Sequence, residues 1–593
     1  MLAAAVASTG LLAVPGGAGA QGAGSDGFVV EAPRHVGTDG SPLRLYVQPQ
    51  VAVHPDDPSV LALATGEARE GGCPLNVSRD GGLSWALAAQ TLMPDDLPYC
   101  VQRNYGPVLD MAFASDGTLY VGMSGSSYDT EPVHPNGPVT ALIARTDDLG
   151  ASHETFVVAD SDPFTYIPEA VADAPPAATP PTTPPTSAPV PGDVSTTVPE
   201  LPATTVPEDA PEPEPVEQTG FEQHRLNSVA VDPNNPDKVY RGWRKGIGGL
   251  VDVPFGATPL RSMIAVSDDG GETWAEAVDV TESLQGEDEV FGSDVPVVVV
   301  DPDGTAYGFV KERPRRPAEG AATPVSRLLM FKSTDGGQTW TASVFSPGAE
   351  SLDNPDVAVD PNNGNLYVVY SSRGDDTEDD EPAQPSEVYF LASTDGGDTW
   401  SEPINVTDDD PAGGADQYHP GISVADNGRI DMAWHDFRND PFFVPGEVGD
   451  MGSSVGQRYW DVYYASSANA GGTWSANTRV TDTSIDGSLG VTFSNNDIRG
   501  PLGIASSDNA AYVTWPDTRA TDADTTDAED VYFSRIRYAA VPALGAGGGE
   551  SNNLLWALLG GGVALALGGV ALAVGTRLTG DRSKSGAGRA APA

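Results

Sequence analysis

Apolar and polar positions along this chain repeat one grammar. An apolar run comes first, such as Ser228-Val229-Ala230-Val231-Asp232-Pro233 or Asp356-Val357-Ala358-Val359-Asp360-Pro361. A turn rich in Asn, Asp, Pro and Gly follows, then a second run such as Asn365-Leu366-Tyr367-Val368-Val369-Tyr370. A third, as in Glu387-Val388-Tyr389-Phe390-Leu391-Ala392, enters a glycine-containing turn, and a fourth leaves it, as in Trp400-Ser401-Glu402-Pro403-Ile404-Asn405-Val406. Short apolar, β-branched runs bounded by turn formers read as strands. Four per unit, regularly spaced, predict an all-β fold of four-stranded antiparallel blades, a β-propeller. First strands begin near Val51, Val108, Val229, Val297, Val357, Ile422 and Leu502. That predicts seven blades, with six as the alternative if one repeat is misread. The seventh unit has three strands, ending at Asp530-Val531-Tyr532-Phe533-Ser534-Arg535-Ile536. Phe28-Val29-Val30-Glu31-Ala32 is a spare strand that completes it if the ring closes there.

The turn before the fourth strand has its own signature. It is nearly perfect at Ser78-Arg79-Asp80-Gly81-Gly82-Leu83-Ser84-Trp85 and from Ser267 to Trp274, Ser333 to Trp340 and Ser393 to Trp400. Two copies are worn: Thr146 to His153 ends in His, and Ser467 to Trp474 has Asn469 for Asp. Short hydroxyl and carboxylate side chains can bond nearby backbone amides and hold a bend, while glycine permits positive φ. The trailing Trp packs its ring beside the hairpin. This Ser/Thr-x-Asp-x-Gly-x-x-Trp form resembles the Asp-box, or bacterial neuraminidase repeat, of sialidase-type β-propellers, and the resemblance covers Gly27 to Tyr538.

The resemblance implies that the box turns lie on one face and that ligands meet the other. Blade-joining loops there would present Arg103-Asn104-Tyr105, His224-Arg225-Leu226-Asn227, Asp294, Asp353-Asn354, Gln417-Tyr418-His419 and Arg499. Loops between second and third strands would add Glu67, Arg69, Glu70, Trp243-Arg244-Lys245, Lys311, Arg313, Arg373, His435-Asp436-Phe437-Arg438 and Asp517-Thr518-Arg519. From these, Arg103, Tyr105, Arg225, Arg244, Asp353, Tyr418, His419, Asp436, Arg438 and Arg499 are the ligand-binding candidates. Sialidases clamp a carboxylate with three arginines and use a Glu-activated Tyr nucleophile with an Asp acid/base. Their first arginine sits in a Phe/Tyr-Arg-Ile-Pro motif; the nearest segment here, Ala32-Pro33-Arg34-His35, does not match. No catalytic residue is therefore carried over. The expected role is a glycan- or protein-recognition module, with a diverged exo-sialidase-like glycoside hydrolase as the alternative. Trp434-His435-Asp436-Phe437-Arg438 and Trp515-Pro516-Asp517-Thr518-Arg519 share a Trp-x-Asp-x-Arg form, read as an Asp–Arg pair clipping one loop to its neighbour ahead of a paired ligand contact.

Charge narrows the partners. The 84 acidic against 31 basic residues leave a formal net of −53, a surface that repels phosphate backbones and excludes nucleic acid. Cys73 and Cys100 flank the first repeat and are expected to form one disulfide tying the first blade to the second. With no His at ligand spacing they do not make a zinc site. No cofactor is called for. Calcium is the one ion for which the acidic runs at 375–381 and 522–530 have the ligand type, though without EF-hand spacing.

Both chain ends concern membranes. Residues 1–20 read as a signal peptide, with Ala18-Gly19-Ala20 before a cleavage point at Gln21; no positive residue precedes them, so the natural start is expected further upstream. Leu554 to Thr576 is uncharged and at ~1.5 Å per residue extends ~34 Å, enough to span a bilayer as a transmembrane helix. The tail at 577–593 carries Arg577, Arg582, Lys584 and Arg589 and is expected inside the cell, with the propeller at 27–538 outside. Residues 539–553 read as a glycine-rich stalk, and the Pro/Thr-rich stretch at 170–217 as a disordered insertion between the second and third blades.

Overall fold

In the computed structural model, the described residues are 27–36, 46–67, 72–100, 109–127, 138–166, 218–248, 260–284, 292–293, 295–313, 327–345, 351–373, 385–409, 415–442, 458–487, 489, 502–519 and 530–538. The chain divides into two units, Met1–Ala539 and Ala540–Ala593. The second lies outside the described residues, as do the leader, the insertion at 170–217, the stalk, the apolar run at 554–576 and the basic tail. Among the described residues no helix is long and apolar enough to cross a membrane.

The first unit is a seven-bladed propeller of antiparallel sheets. Blade 1 is Tyr46–Val53, Leu61–Glu67, Leu75–Ser78 and Ala86–Ala89, from the axis outward. Blade 2 runs through Asp110–Phe113, Leu119–Ser126, Thr140–Thr146 and Glu154–Ala159. Blade 3 has Gln218–Asp232, Asn235–Gly248, Arg261–Ser267 and Val278–Asp279. Blade 4 has Val297–Val300, Ala306–Arg313, Leu328–Ser333 and Thr341–Val344. Blade 5 is Ser351–Val359, Leu366–Arg373, Ser386–Ser393 and Ile404–Asn405. Blade 6 is Gln417–Val424, Ile430–Asp436, Tyr459–Ser467 and Thr478–Arg479. Blade 7 is Gly503–Ser507, Ala510–Asp517 and Asp530–Tyr538, completed by Phe28–Val30 in register Phe28 to Tyr538. The first strands touch in cyclic order, blade 7 meeting blade 1, so the ring is closed and the six-blade alternative is ruled out. Each of the seven seams holds its own cluster of buried apolar side chains. Cys73 and Cys100 form the expected disulfide between blades 1 and 2, the strand at Tyr99–Cys100 pairing with blade 2.

Pro163–Tyr166 pairs with Gln218–Phe221 and adds a strand to blade 3, whose first strand, Gln218–Asp232, runs 15 residues.

The six box turns explain how blades are fastened. The box Ser or Thr hydroxyl accepts the amide of the second glycine at 2.8–3.0 Å in every copy. In the five Asp copies one carboxylate oxygen accepts a backbone amide at 2.8–2.9 Å and the other a hydroxyl at 2.5–2.7 Å. Asn469 has one acceptor oxygen, which must serve both groups, and its hydroxyl bond lengthens to 3.3 Å. The tryptophans reach the preceding blade: Trp85 packs on Phe533, Trp400 on Phe309 and Trp474 on Phe390. The second glycine makes the same approach, since a Cβ on Gly82 would lie 2.1 Å from the Phe533 ring and one on Gly471 2.2 Å from Phe390. The box is thus an inter-blade joint as well as a hairpin bend.

In the worn copies Leu149 and Ala470 replace the first glycine and stand at φ 58° and 54°. A left-handed conformation costs an L-residue about 1–2 kcal/mol. Ala470→Gly is therefore expected to stabilise the propeller by about 1 kcal/mol. Chemical denaturation of the full chain checks it, and a neutral or destabilising outcome would refute the strain.

Candidate functional site

At the end of the ring opposite the boxes, the innermost strands are irregular. Register shifts interrupt the pairing of blades 1, 3, 5 and 6 between Val47 and Gln50, Arg225 and Asn227, Asp353 and Asp356, and Tyr418 and Gly421. Three of these bulges hold a non-glycine residue in the left-handed region: Gln48, Leu226 and His419. Bulges bend a strand and re-aim its side chains, and such strain persists only where the surroundings enforce it. The mouth therefore has the same local device on four blades.

The bulges place several sequence candidates side by side. Arg225 stands opposite Arg244 across the first two strands of blade 3, and Tyr418 opposite His435 on blade 6. Gln417 pairs with Asp436, and the backbone of Asp353 with Ser371. Next to Arg225, His224 is buried; its Nδ1 accepts Trp243 Nε1–H at 2.7 Å and its Nε2 contacts the Asp160 carbonyl at 3.0 Å. That fixes a neutral Nε2–H tautomer, and burial pushes the imidazole down to about 4. Arg103, Tyr105, Asp294 and Arg499 lie outside the described residues, as do the acidic runs at 375–381 and 522–529.

Asp436 and Arg438 are engaged with each other. Asp436 is fully buried and accepts Trp434 Nε1–H at 3.0 Å together with Arg438 Nε at 2.9 Å and Nη2 at 2.8 Å. Arg438 lies over the Tyr463 ring and extends Nη1 to Asp408, 2.7 Å away, in the segment arriving from blade 5. Blade 7 repeats the arrangement. Trp515 and Arg519 donate to Asp517, Arg519 covers Tyr532, and its Nη1 reaches Asp482 in the segment arriving from blade 6. Trp-x-Asp-x-Arg is thus an internal clip joining each blade to the connection that precedes it.

Blade 6 gathers most of the remaining chemistry. Tyr418 donates to Asp416 at 2.9 Å, and Asp416 also accepts the Ser386 amide from blade 5. A run of rings lies behind the mouth: Tyr418 edge-on to Phe437, Phe437 beside Trp460, Trp460 stacked on His435, and His435 near His419. Asp461 is fully buried and accepts Arg479, Thr481 and Asn439. Between blades 5 and 6, burial pushes the Glu387 carboxyl up to about 7; its Oε2 accepts Thr407, while Oε1 has no partner. Asp416, Trp460, Asp461, Glu387 and Asn439 were not among the sequence candidates. Their positions in apolar strands or beside turn residues give no chemical signal in sequence.

No protein-family profile matches this sequence, and no curated protein sequence matches it. Solved structures resemble it in fold. A Hadza microbial sialidase is 11% identical over 80% of this chain and 76% of its own, with a TM-score of 0.39. The GH93 α-L-arabinofuranosidase of Fusarium graminearum is 12% identical, covering 68% of this chain and 92% of its own, with a TM-score of 0.37. The Trypanosoma rangeli sialidase is 11% identical over 73% of this chain and 54% of its own, with a TM-score of 0.36.

Proposed function

We propose that this chain is a cell-surface recognition module: a sialidase-like propeller, anchored by Leu554 to Thr576, that binds a glycan or an extracellular protein at the end opposite its box turns. The observation that carries the reading is the state of the guanidinium groups on blades 6 and 7. Arg438 is spent on three aspartates of the protein itself and Arg519 on two. Grips on an acidic sugar are removed there. A net charge of −53 acts in the same direction, disfavouring anionic ligands.

A second reading, an exo-sialidase-like hydrolase, draws on Arg225 opposite Arg244 and on Glu387, a carboxyl held near neutrality by burial as a general acid would be. One pair of experiments separates the two. The full chain is expected to bind members of a glycan array and to release no fluorophore from a fluorogenic sialoside. Turnover that disappears in Arg225→Ala would establish the hydrolase instead, and an array with no binding would remove glycan recognition.

A further inference from the structure

Six large apolar side chains are exposed among the described residues: Leu83, Leu87, Val157, Val344, Ile404 and Phe442. Leu83 sits in a box turn, and the next four lie on the outermost strands of their blades. Phe442 differs in kind and in place. It is aromatic, 53% exposed, and follows the second strand of blade 6 at the end opposite the boxes.

Its setting is built. Asp440 is 6% exposed, and its carboxylate accepts three backbone amides: Phe442 at 2.9 Å through Oδ1, and Arg458 at 2.6 Å and Tyr459 at 3.0 Å through Oδ2. One buried side chain thus pins both limbs of the loop, and the rings they carry, before any ligand arrives. Phe442 stacks on Tyr459, with centroids 5.8 Å apart and planes 20° from parallel. Arg458 covers both rings, 5.8 Å from one centroid and 5.0 Å from the other. Asp486 accepts Arg458 Nε at 2.9 Å and Nη2 at 2.7 Å, which neutralises the cation and fixes its plane. The Tyr459 hydroxyl bonds the same carboxylate, which holds its proton on.

An ordered, half-exposed ring beside a flat, charge-neutral donor–acceptor pair suits one ligand chemistry. The C–H face of a pyranose is apolar while its rim is hydroxylated. We propose that Phe442 and Tyr459 are a stacking platform for a neutral sugar residue, with Arg458 Nη1 beside them to meet its hydroxyls. The proposal rests on the recognition reading above and narrows it to a ligand class and a subsite. A carboxylate-bearing sugar fits poorly, because Asp486 already satisfies the cation.

The test uses the full chain against neutral gluco-, galacto-, manno- and xylo-oligosaccharides, with sialylated and uronate-containing glycans alongside, followed by calorimetry on any hit. The expected result is binding of a neutral oligosaccharide that weakens at least 10-fold in Phe442→Ala, about 1.4 kcal/mol, and persists in Phe442→Trp. Phe442 is exposed, so its replacement leaves the fold intact; an unchanged Tm confirms this. Neutral binding that Phe442→Ala leaves undiminished, or binding confined to acidic glycans, overturns the platform but spares the recognition reading. Absence of any glycan binding overturns the platform and the glycan form of the recognition reading together.

Discussion

Replacing Asp431 with alanine is expected to destabilise the propeller by about 3–5 kcal/mol, the usual result of removing one partner of a buried ion pair. Asp431 is fully buried at the seam between blades 6 and 7, and Arg429 is 6% exposed. The pair is forked, with Arg429 Nε 2.9 Å from Oδ1 and Nη2 2.8 Å from Oδ2. Ser506 of blade 7 donates to the same carboxylate at 2.6 Å, and Tyr464 donates at 2.5 Å while contacting Tyr538. Arg429 also reaches the carbonyls of Ser507, Asp508 and Ala510, and its guanidinium lies 3.9 Å from the Tyr538 ring centroid. Phe28, on the strand that closes the ring, packs against both tyrosines. Loss of Asp431 strands a buried cation at the joint where the two ends of the propeller meet. Thermal and urea unfolding of the full chain should show the loss. Asp431→Leu combined with Arg429→Met should recover much of it, since no charge is then left buried. An Asp431→Ala protein within 1 kcal/mol of the parent would show that the network contributes little.

That network was not legible in the sequence, and the reason is physical. The repeat grammar reports which residues alternate along a strand, and hairpin bends report themselves through Gly, Asp and Ser. Blade number and the closing strand followed from those two signals, because both are local in the chain. Arg429 and Asp431 are only two residues apart and read as a solvated pair after a turn. Their burial comes from blade 7, some 75 residues on, which no local pattern encodes. Arg241 is a stronger case: fully buried in blade 3, it donates to the blade 2 carbonyls of Leu142 and Met123. At the mouth, sequence pointed to strand ends such as Arg225 and Arg244, Tyr418 and His419, because polar residues at strand termini are conspicuous. It did not find Phe442 and Tyr459, since one aromatic beside a turn and another within an apolar strand resemble ordinary packing until the fold brings them into contact. The Trp-x-Asp-x-Arg repeat was visible on two adjacent blades, and the commonness of structural ion-pair networks already favoured a clip.

Acidification from pH 8 to pH 5 is expected to raise the melting temperature, by roughly 5 °C. Three carboxyls are pushed up by burial: Asp110 to about 6, and Asp356 and Glu387 to about 7. Asp110 and Asp356 project from first strands, where each carboxylate accepts an amide of the next blade, Val229 and Ile422 respectively, and the Asp110 charge raises the cost of ionising Asp356. For a carboxyl with a raised folded pKa, the unfolded chain gives up its proton first. Stability is then full below the unfolded value near 4 and falls as pH climbs through 6 to 7. His224 opposes this: held down to about 4, it contributes stability above 6.5 that is lost as pH falls toward 4. Three groups against one leave a net gain on acidification to about pH 5. Below pH 4 the sign reverses, because Thr273 and Thr339 hold Asp269 and Asp335 of the boxes down to about 2, and protonating them loosens the turns. Maximum stability should therefore lie near pH 4–5. Self-repulsion of the acidic surface changes in the same direction, but salt screens it whereas it does not screen burial. The slope should thus survive in 0.5 M NaCl and flatten in Glu387→Gln. A melting temperature that rises from pH 5 to pH 8 in high salt would mean these carboxyls are solvated in the folded protein, and that the seam between blades 5 and 6 is open to water.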